Sequence, residues 1–257
     1  GIPPSNPELL DWLATEFMAQ EWSLKAMHRL IVTSATYRQS SRVRPEIEGT
    51  DPNNRLLARQ NRLRLDAEVV RDVGLAASGL LTPRLGGPPV FPPQPDGVMS
   101  LGQLKREWKA SSGSDRYRRG LYTFFFRATP HPAMAVFDAP DSFSACTRRL
   151  RSNTPLQALT LLNDVAFYEF AHALAERTLR ECGRAEAERL DYAFRLCLAR
   201  TPTTPEAQRL GVVLQAELEE LRQKPGEVRS VKSPRDLDAL EFAAWTTLSR
   251  VMLNLDE

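Results

Sequence analysis

The 257-residue sequence predicts an all-α fold: a multi-helix globular domain with one long proline-rich loop and an irregular central segment. Three observations predict it. Apolar residues recur at the i, i+3, i+4, i+7 spacing of an amphipathic helix in roughly nine segments. Several segments open on Ser or Thr with proline in the first turn and Glu or Gln three residues after the cap, a pattern that satisfies the first turn's orphan N–H groups. The one stretch with strand composition, Leu121–Arg127, has no second strand to pair with.

In chain order, Ser5-Asn-Pro-Glu8 reads as a capping box ahead of a stripe of Leu9, Leu10, Leu13 and Phe17. Ser23 caps the next helix, whose stripe of Leu24, Met27, Ile31 and Ala35 places His28 on or beside a buried face as a hydrogen-bonded core histidine. Tyr37 to Pro45 is a basic, Ser-rich loop, and Asp51-Pro52 is expected to open a short helix through Arg59. Asp66 caps a helix with its stripe at Val69, Val73, Ala76, Ala77 and Leu80, stapled by Leu65 and Val70. Thr82 to Pro95 holds six prolines and two adjacent glycines, which excludes helix and central strand and leaves a long surface loop.

Beyond the middle, Thr154-Pro-Leu-Gln157 is a second capping box, and Asp164 caps a helix striped by Phe167, Phe170, Ala171, Leu174 and Thr178. Leu190, Ala193, Phe194 and Cys197 mark another helix, and Thr204-Pro205 starts one carrying Leu210, Val213, Leu214, Leu218 and Leu221. GEVRSVKSP reads as a polar linker before a last helix with Leu240, Ala244, Leu248, Val251 and Leu255 on one face. The expected organisation is a single module over 1–257, with helices in 1–81, the irregular segment in 82–153 and helices in 154–257. Gly1 without an initiator Met and a stop at Asp256-Glu257 read as a piece of a longer protein.

Composition narrows the function classes. No apolar run approaches the roughly 20 residues of a membrane span. Residues 1–159 carry 21 Lys+Arg against 15 Asp+Glu and residues 160–257 carry 13 against 17, a polarity too small for a nucleic-acid binder. Three cysteines without CxxC or CxxCH give no support to a disulfide framework, a four-Cys zinc site or covalent haem; buried thiols, or one bridge, are expected. Glycine-rich phosphate loops, HExxH and GxSxG are absent from the sequence.

The candidate chemistry lies between Arg116 and Asp164. Arg116, Arg118, Arg119, Arg127, Arg148, Arg149 and Arg151 outnumber the two acids Asp138 and Asp141 within 116–151. Their forked guanidiniums suit a carboxylate, sulfate or phosphate, or else pair with the chain's own carboxylates. Phe137-Asp-Ala-Pro-Asp141 offers either an acid/base pair or two turn-capping aspartates. Thr129-Pro-His-Pro132 presents His131 on a rigid turn, as a packed side chain or as a base whose tautomer Asp138 or Asp141 would set.

Several long motifs carry a family resemblance: GIPPSNPELLDWLATEF, MHRLIVTSATYRQSS, DPNNRLLARQNRLRLDAEVVRD, RRGLYTFFFRATPHP, FDAPD, SNTPLQALTLLND and AFRLCLARTPTTPE. In this order they resemble the planctomycete domain of unknown function 1553, the C-terminal module of large exported proteins. The resemblance implies an extracytoplasmic setting, an upstream partner region that includes a cytochrome-c-like segment, and haem there rather than within this chain. It lends no catalytic residues. One departure stands out: Ser142-Phe-Ser-Ala145 separates FDAPD from Cys146 where the family often has a charged residue.

Two functions follow as expectations. One is an accessory module that docks on the upstream domains and helps an exported, haem-linked assembly bind polysaccharide. The other is an enzyme on an anionic, sulfated glycan, with His131 as base, Asp138 or Asp141 as its orienter or the acid, and Arg127, Arg148, Arg149 and Arg151 clamping the anion.

Overall fold

Local sequence signals set most of the helix boundaries in the computed structural model, which describes residues 3–102, 106–183 and 185–255, without the side chains of Glu48 and Arg229. Gly1 and Asp256-Glu257 lie outside the described residues. Eleven α-helices and three short 3-10 turns are present, and no strand occurs among the described residues. The fold is all-α. The chain divides into two units, 1–63 and 64–257.

The first unit holds α1 (Pro7–Ala19), α2 (Leu24–Thr33) and α3 (Pro45–Glu48). Proline at the first helical position puts the cap of α1 at Asn6, so the Ser5 capping box does not form; the Asn6 amide donates to Ser5 Oγ and to the Arg55 carbonyl instead. Glu21 and Trp22 take left-handed φ values of 52° and 60° and end the helical path before α2. Ser23 caps α2 as expected, accepting from Ala26 N at 3.3 Å. His28 is exposed, not buried, because Met27 is the only residue α2 buries. The helix expected from Asp51 to Arg59 is a chain of turns: Asp51 accepts from Arg55 N and Leu56 N, and Asn54 and Leu57 sit at positive φ, which a helix cannot carry. Apolar side chains of this unit, including Leu9, Leu10, Trp12, Trp22 and Leu24, are exposed.

The second unit holds α4 (Ala67–Ala77), α5 (Pro132–Val136), α6 (Pro155–Asn163), α7 (Val165–Glu181), α8 (Glu186–Leu198), α9 (Thr204–Gln223), α10 (Pro225–Ser230) and α11 (Ala239–Leu253). The stretch expected as a linker, GEVRSVKSP, is largely helix α10, because Pro225 at its first position starts a turn. Both side-chain bonds of the Thr154/Gln157 capping box form, as do caps by Asp164 and Asp238. Helix α9 begins one residue earlier in its cap than expected, with Thr203 and Glu206 forming the box. Helix α7 is the central rod. Phe167 and Phe170 join α4, α5 and α6 in one core cluster, while Ala175 and Leu179 join α8, α9 and α11 in another. Phe170, Phe194, Phe242, Leu174, Leu214 and Leu248 are essentially fully buried, each contributing roughly 1.5–3 kcal/mol.

Helix α4 buries a different face from the one its apolar spacing predicts. Val69 and Val73 are exposed, while Ala67, Arg71, Gly74, Leu75 and Ala77 face inward. Gly74 lets the Phe170 ring approach: a Cβ there would stand 2.8 Å from Phe170 Cδ2. Arg71 Nη2 donates on that face to the Arg116 carbonyl at 2.8 Å, and the guanidinium lies 5.5 Å from the Phe170 ring centroid. Asp66 occupies the N-cap position of α4 without a capping hydrogen bond, its carboxylate lying 3.9 Å from both Arg149 and Arg151.

Candidate functional site

Six prolines remove much of this stretch's backbone donor capacity, so apart from backbone bonds at Thr82, Val90 and Phe91 side chains hold it. Arg118, completely buried, does most of this. Its guanidinium donates to the carbonyls of Arg84, Gly86 and Pro88 and lies 3.8 Å from the Tyr122 ring centroid. Gly86 N donates to Tyr122 Oη at 2.7 Å. Isolated bridges join Thr82 to Arg118 and Val90 to Thr123, and the stretch of strand composition at Leu121–Arg127 forms a 3-10 turn (Gly120–Tyr122) and an extended run rather than a strand. Along that run Phe124 and Phe126 turn into an aromatic cluster with Phe91 and Trp108, while Phe125 between them is exposed. Alternation in extended backbone explains why three consecutive phenylalanines do not all bury.

The end of the loop is pinned from beneath. Trp108 Nε1 donates to the Pro92 carbonyl at 2.6 Å, and His131 Nε2 to the Pro93 carbonyl at 3.0 Å. That bond requires the Nε2–H tautomer of a neutral ring. Burial pushes the His131 pKa down to about 4, outweighing the Pro93 bond, and the nearby Arg71 charge acts in the same direction as burial. His131 Nδ1 and Arg71 Nε are buried without a partner, and both residues border a cavity of about 10 Å³, the size of one water.

Above these anchors the loop walls a groove of about 500 Å³, within the range of ligand sites. Its lining includes Gln94, Asp96, Arg106, Glu107, Trp108 and Arg116. Gln94 Oε1 is buried there with no partner. Arg106 lies 4.9 Å over the Phe126 ring. Arg116 forms a bidentate pair with Glu169 that Tyr117 Oη joins at 2.7 Å; this pairing raises the arginine's pKa. Gly97, at φ 82°, makes the turn that lets the loop fold over the groove.

The residues singled out by type occupy several places. Asp138, at φ 60°, accepts from both Ser152 N and Ser152 Oγ at 2.7 Å, and Gln157 bridges Ser152 Oγ to the Val136 carbonyl. Asp141 accepts from Phe143 N in an exposed turn. Arg149 grips Glu68 at 2.6 and 3.1 Å; burial pushes the Glu68 carboxyl up, but Arg149 outweighs it and leaves its pKa below the ordinary value. Arg127 lies over the exposed Phe143 ring at 5.6 Å, and Arg148 is exposed. Of the arginine set, Arg116 alone borders the groove; Arg119 instead pairs with Asp72 at 2.7 Å. Gln94, Arg106 and Trp108 escaped the sequence reading. The available signal was a lone tryptophan close to a proline run, where the ring must pack and its N–H must find a carbonyl.

Cys146 is exposed rather than buried, and Cys182 and Cys197 are half-buried; all three are free thiols. Burial pushes the Cys197 thiol up to about 12. Among the described residues no group of three His, Cys, Asp or Glu could hold a metal ion, and no helix is long and apolar enough to cross a membrane. A family model described as a protein of unknown function (PSD1, DUF1553) matches residues 1–214. No curated protein and no solved structure matches the chain.

Proposed function

We propose, from the premise that this chain belongs to the PSD1 family of proteins of unknown function (DUF1553), that it is an accessory module of a larger exported, haem-linked protein and contacts polysaccharide through the proline-loop groove. The observation that carries this reading is the groove itself: about 500 Å³, walled by a loop whose backbone is fixed by Arg118, Trp108 and His131. A preformed wall spares the ligand the cost of ordering it. His131 serves that wall. Its ring is neutral near pH 7, its Nε2 is held by Pro93, and the cavity beside Nδ1 is too small for a sugar. The exposed apolar side chains of α1 and α2 support docking onto another domain.

Affinity electrophoresis of the full chain through gels cast with soluble polysaccharides tests the reading. Retardation by at least one polysaccharide, weakened in Arg106→Ala, is expected. Unaltered mobility in neutral, carboxylated and sulfated gels alike would overturn it.

A further inference from the structure

We infer that the first unit binds a second copy of this chain, with the acidic helix α1 of one copy against the basic helix α2 of the other and the reverse; this deepens, and rests on, the reading that α1 and α2 dock onto another domain. Helix α1 buries none of its residues. Its 13 residues make a marginal helix in water without a packed face. Such a face is present. Leu9, Leu10 and Trp12 are exposed on α1, Leu24, Ile31 and Val32 on α2, and Trp22 between the helices is 64% exposed. Phe17 meets Trp22 edge-on at 5.3 Å, a contact that closes the hairpin yet leaves those side chains in solvent.

Charge names the occupant. Residues 1–24 hold four acids and no Lys or Arg, whereas residues 25–63 hold eight Lys+Arg against three acids. The two sets do not neutralise each other within one chain. Among the described residues Glu8, Asp11, Glu16 and Glu21 pair with no Lys or Arg, and Lys25 and Arg29 pair with no carboxylate. Arginines of the second unit such as Arg116, Arg180 and Arg189 do find carboxylates. Each hairpin therefore exposes an acidic apolar helix next to a basic apolar one. Two copies related by a two-fold axis set α1 against α2 twice, so each attraction is made in duplicate while both apolar faces leave water. A partner of a single sign would attract one helix and repel the other.

The test is sedimentation velocity of the full chain over a wide concentration range, on the parent and on two charge reversals. One reverses α1 (Asp11→Lys with Glu16→Lys, both beyond its first turn) and the other reverses α2 (Lys25→Glu with Arg29→Glu). Circular dichroism checks that both keep their helix content. The parent is expected to show a monomer–dimer equilibrium that each reversal alone weakens about tenfold, or 1.4 kcal/mol. An equimolar mixture of the two reversals is expected to restore the dimer, because opposite signs then meet again at both contacts. A dimer indifferent to both reversals, or a mixture that stays monomeric, would overturn the inference. A parent that is monomeric throughout would also overturn it, and would leave the groove reading, which affinity electrophoresis tests separately, untouched. If that monomer binds no hydrophobic dye either, docking through α1 and α2 falls with it.

Discussion

Arg118→Met removes the donor fork that tethers the proline loop while keeping most of the side-chain volume. Three guanidinium–carbonyl bonds of roughly 1.5–3 kcal/mol each disappear, together with a ring contact of about 2 kcal/mol. Two effects offset most of that loss. The variant no longer holds a cation out of water, which itself costs several kcal/mol. The freed carbonyls of Arg84, Gly86 and Pro88 belong to exposed residues, so water replaces the lost donors. The net expectation is about 2 kcal/mol on the second unit, a fall in Tm of roughly 4–8 °C. The larger effect is local, because the Gly86–Tyr122 bond and the exposed Arg84–Asp115 pair are then the side-chain tethers left between Pro83 and Pro89. Limited proteolysis should show cleavage within 83–95 rising about tenfold or more, and Arg118→Lys should restore less than half of the protection, since a point charge cannot span three carbonyls. Unchanged cleavage in Arg118→Met, or full protection in Arg118→Lys, would refute the reasoning.

His131 makes stability depend on pH. Its folded pKa, pushed down to about 4, lies below the unfolded value near 6.5, so the unfolded chain binds the proton first. This contribution is complete above pH 6.5, is lost as pH falls toward 4 and levels off below; the loss is on the order of 3 kcal/mol, and urea melts of the parent against His131→Gln should show a shallower slope in the variant, which keeps only the carboxylate contributions such as that of Glu68. Gly120→Ala should destabilise by about 3 kcal/mol or prevent folding, because its Cβ would stand 2.6 Å from the backbone oxygen of Glu68; a thermal melt within 2 °C of the parent would contradict that contact. Asp138→Ala should cost about 2 kcal/mol by orphaning Ser152 and straining a left-handed residue, whereas Asp138→Asn should cost less than about 1 kcal/mol; chemical denaturation separates the two.

Local rules located the helices where the deciding atoms lie within one turn. The Thr154/Gln157 box and the Ser23 and Asp164 caps join residues two or three apart, whereas the expected Ser5 box and Asp66 cap do not form. The stripe of α7 was equally legible because every position on it is apolar or, like Thr178, bonds its own helix. Helix α4 broke the rule because a buried arginine and a glycine sit where the pattern counts only apolar residues. Arg71 faces inward because the Arg116 carbonyl, 45 positions away, receives it. The Asp51 turn broke it in another way: Asp51-Pro52 is equally good as a helix start or a turn, and left-handed Asn54 and Leu57 decide for the turn.

The groove was illegible for a reason of scale. Its wall depends on His131 meeting Pro93 across 38 positions, Arg118 meeting Pro88 across 30, and Trp108 meeting Pro92 across 16. Residue type flagged His131 and the arginines because imidazole and guanidinium are the groups most often used for chemistry. The same groups are the strongest donors a chain owns, and a run of six prolines strips its own backbone of donors while leaving every carbonyl in need of one. A proline-rich loop held against a helical body therefore demands donor side chains aimed at its carbonyls, and Arg118, His131 and Trp108 meet that demand.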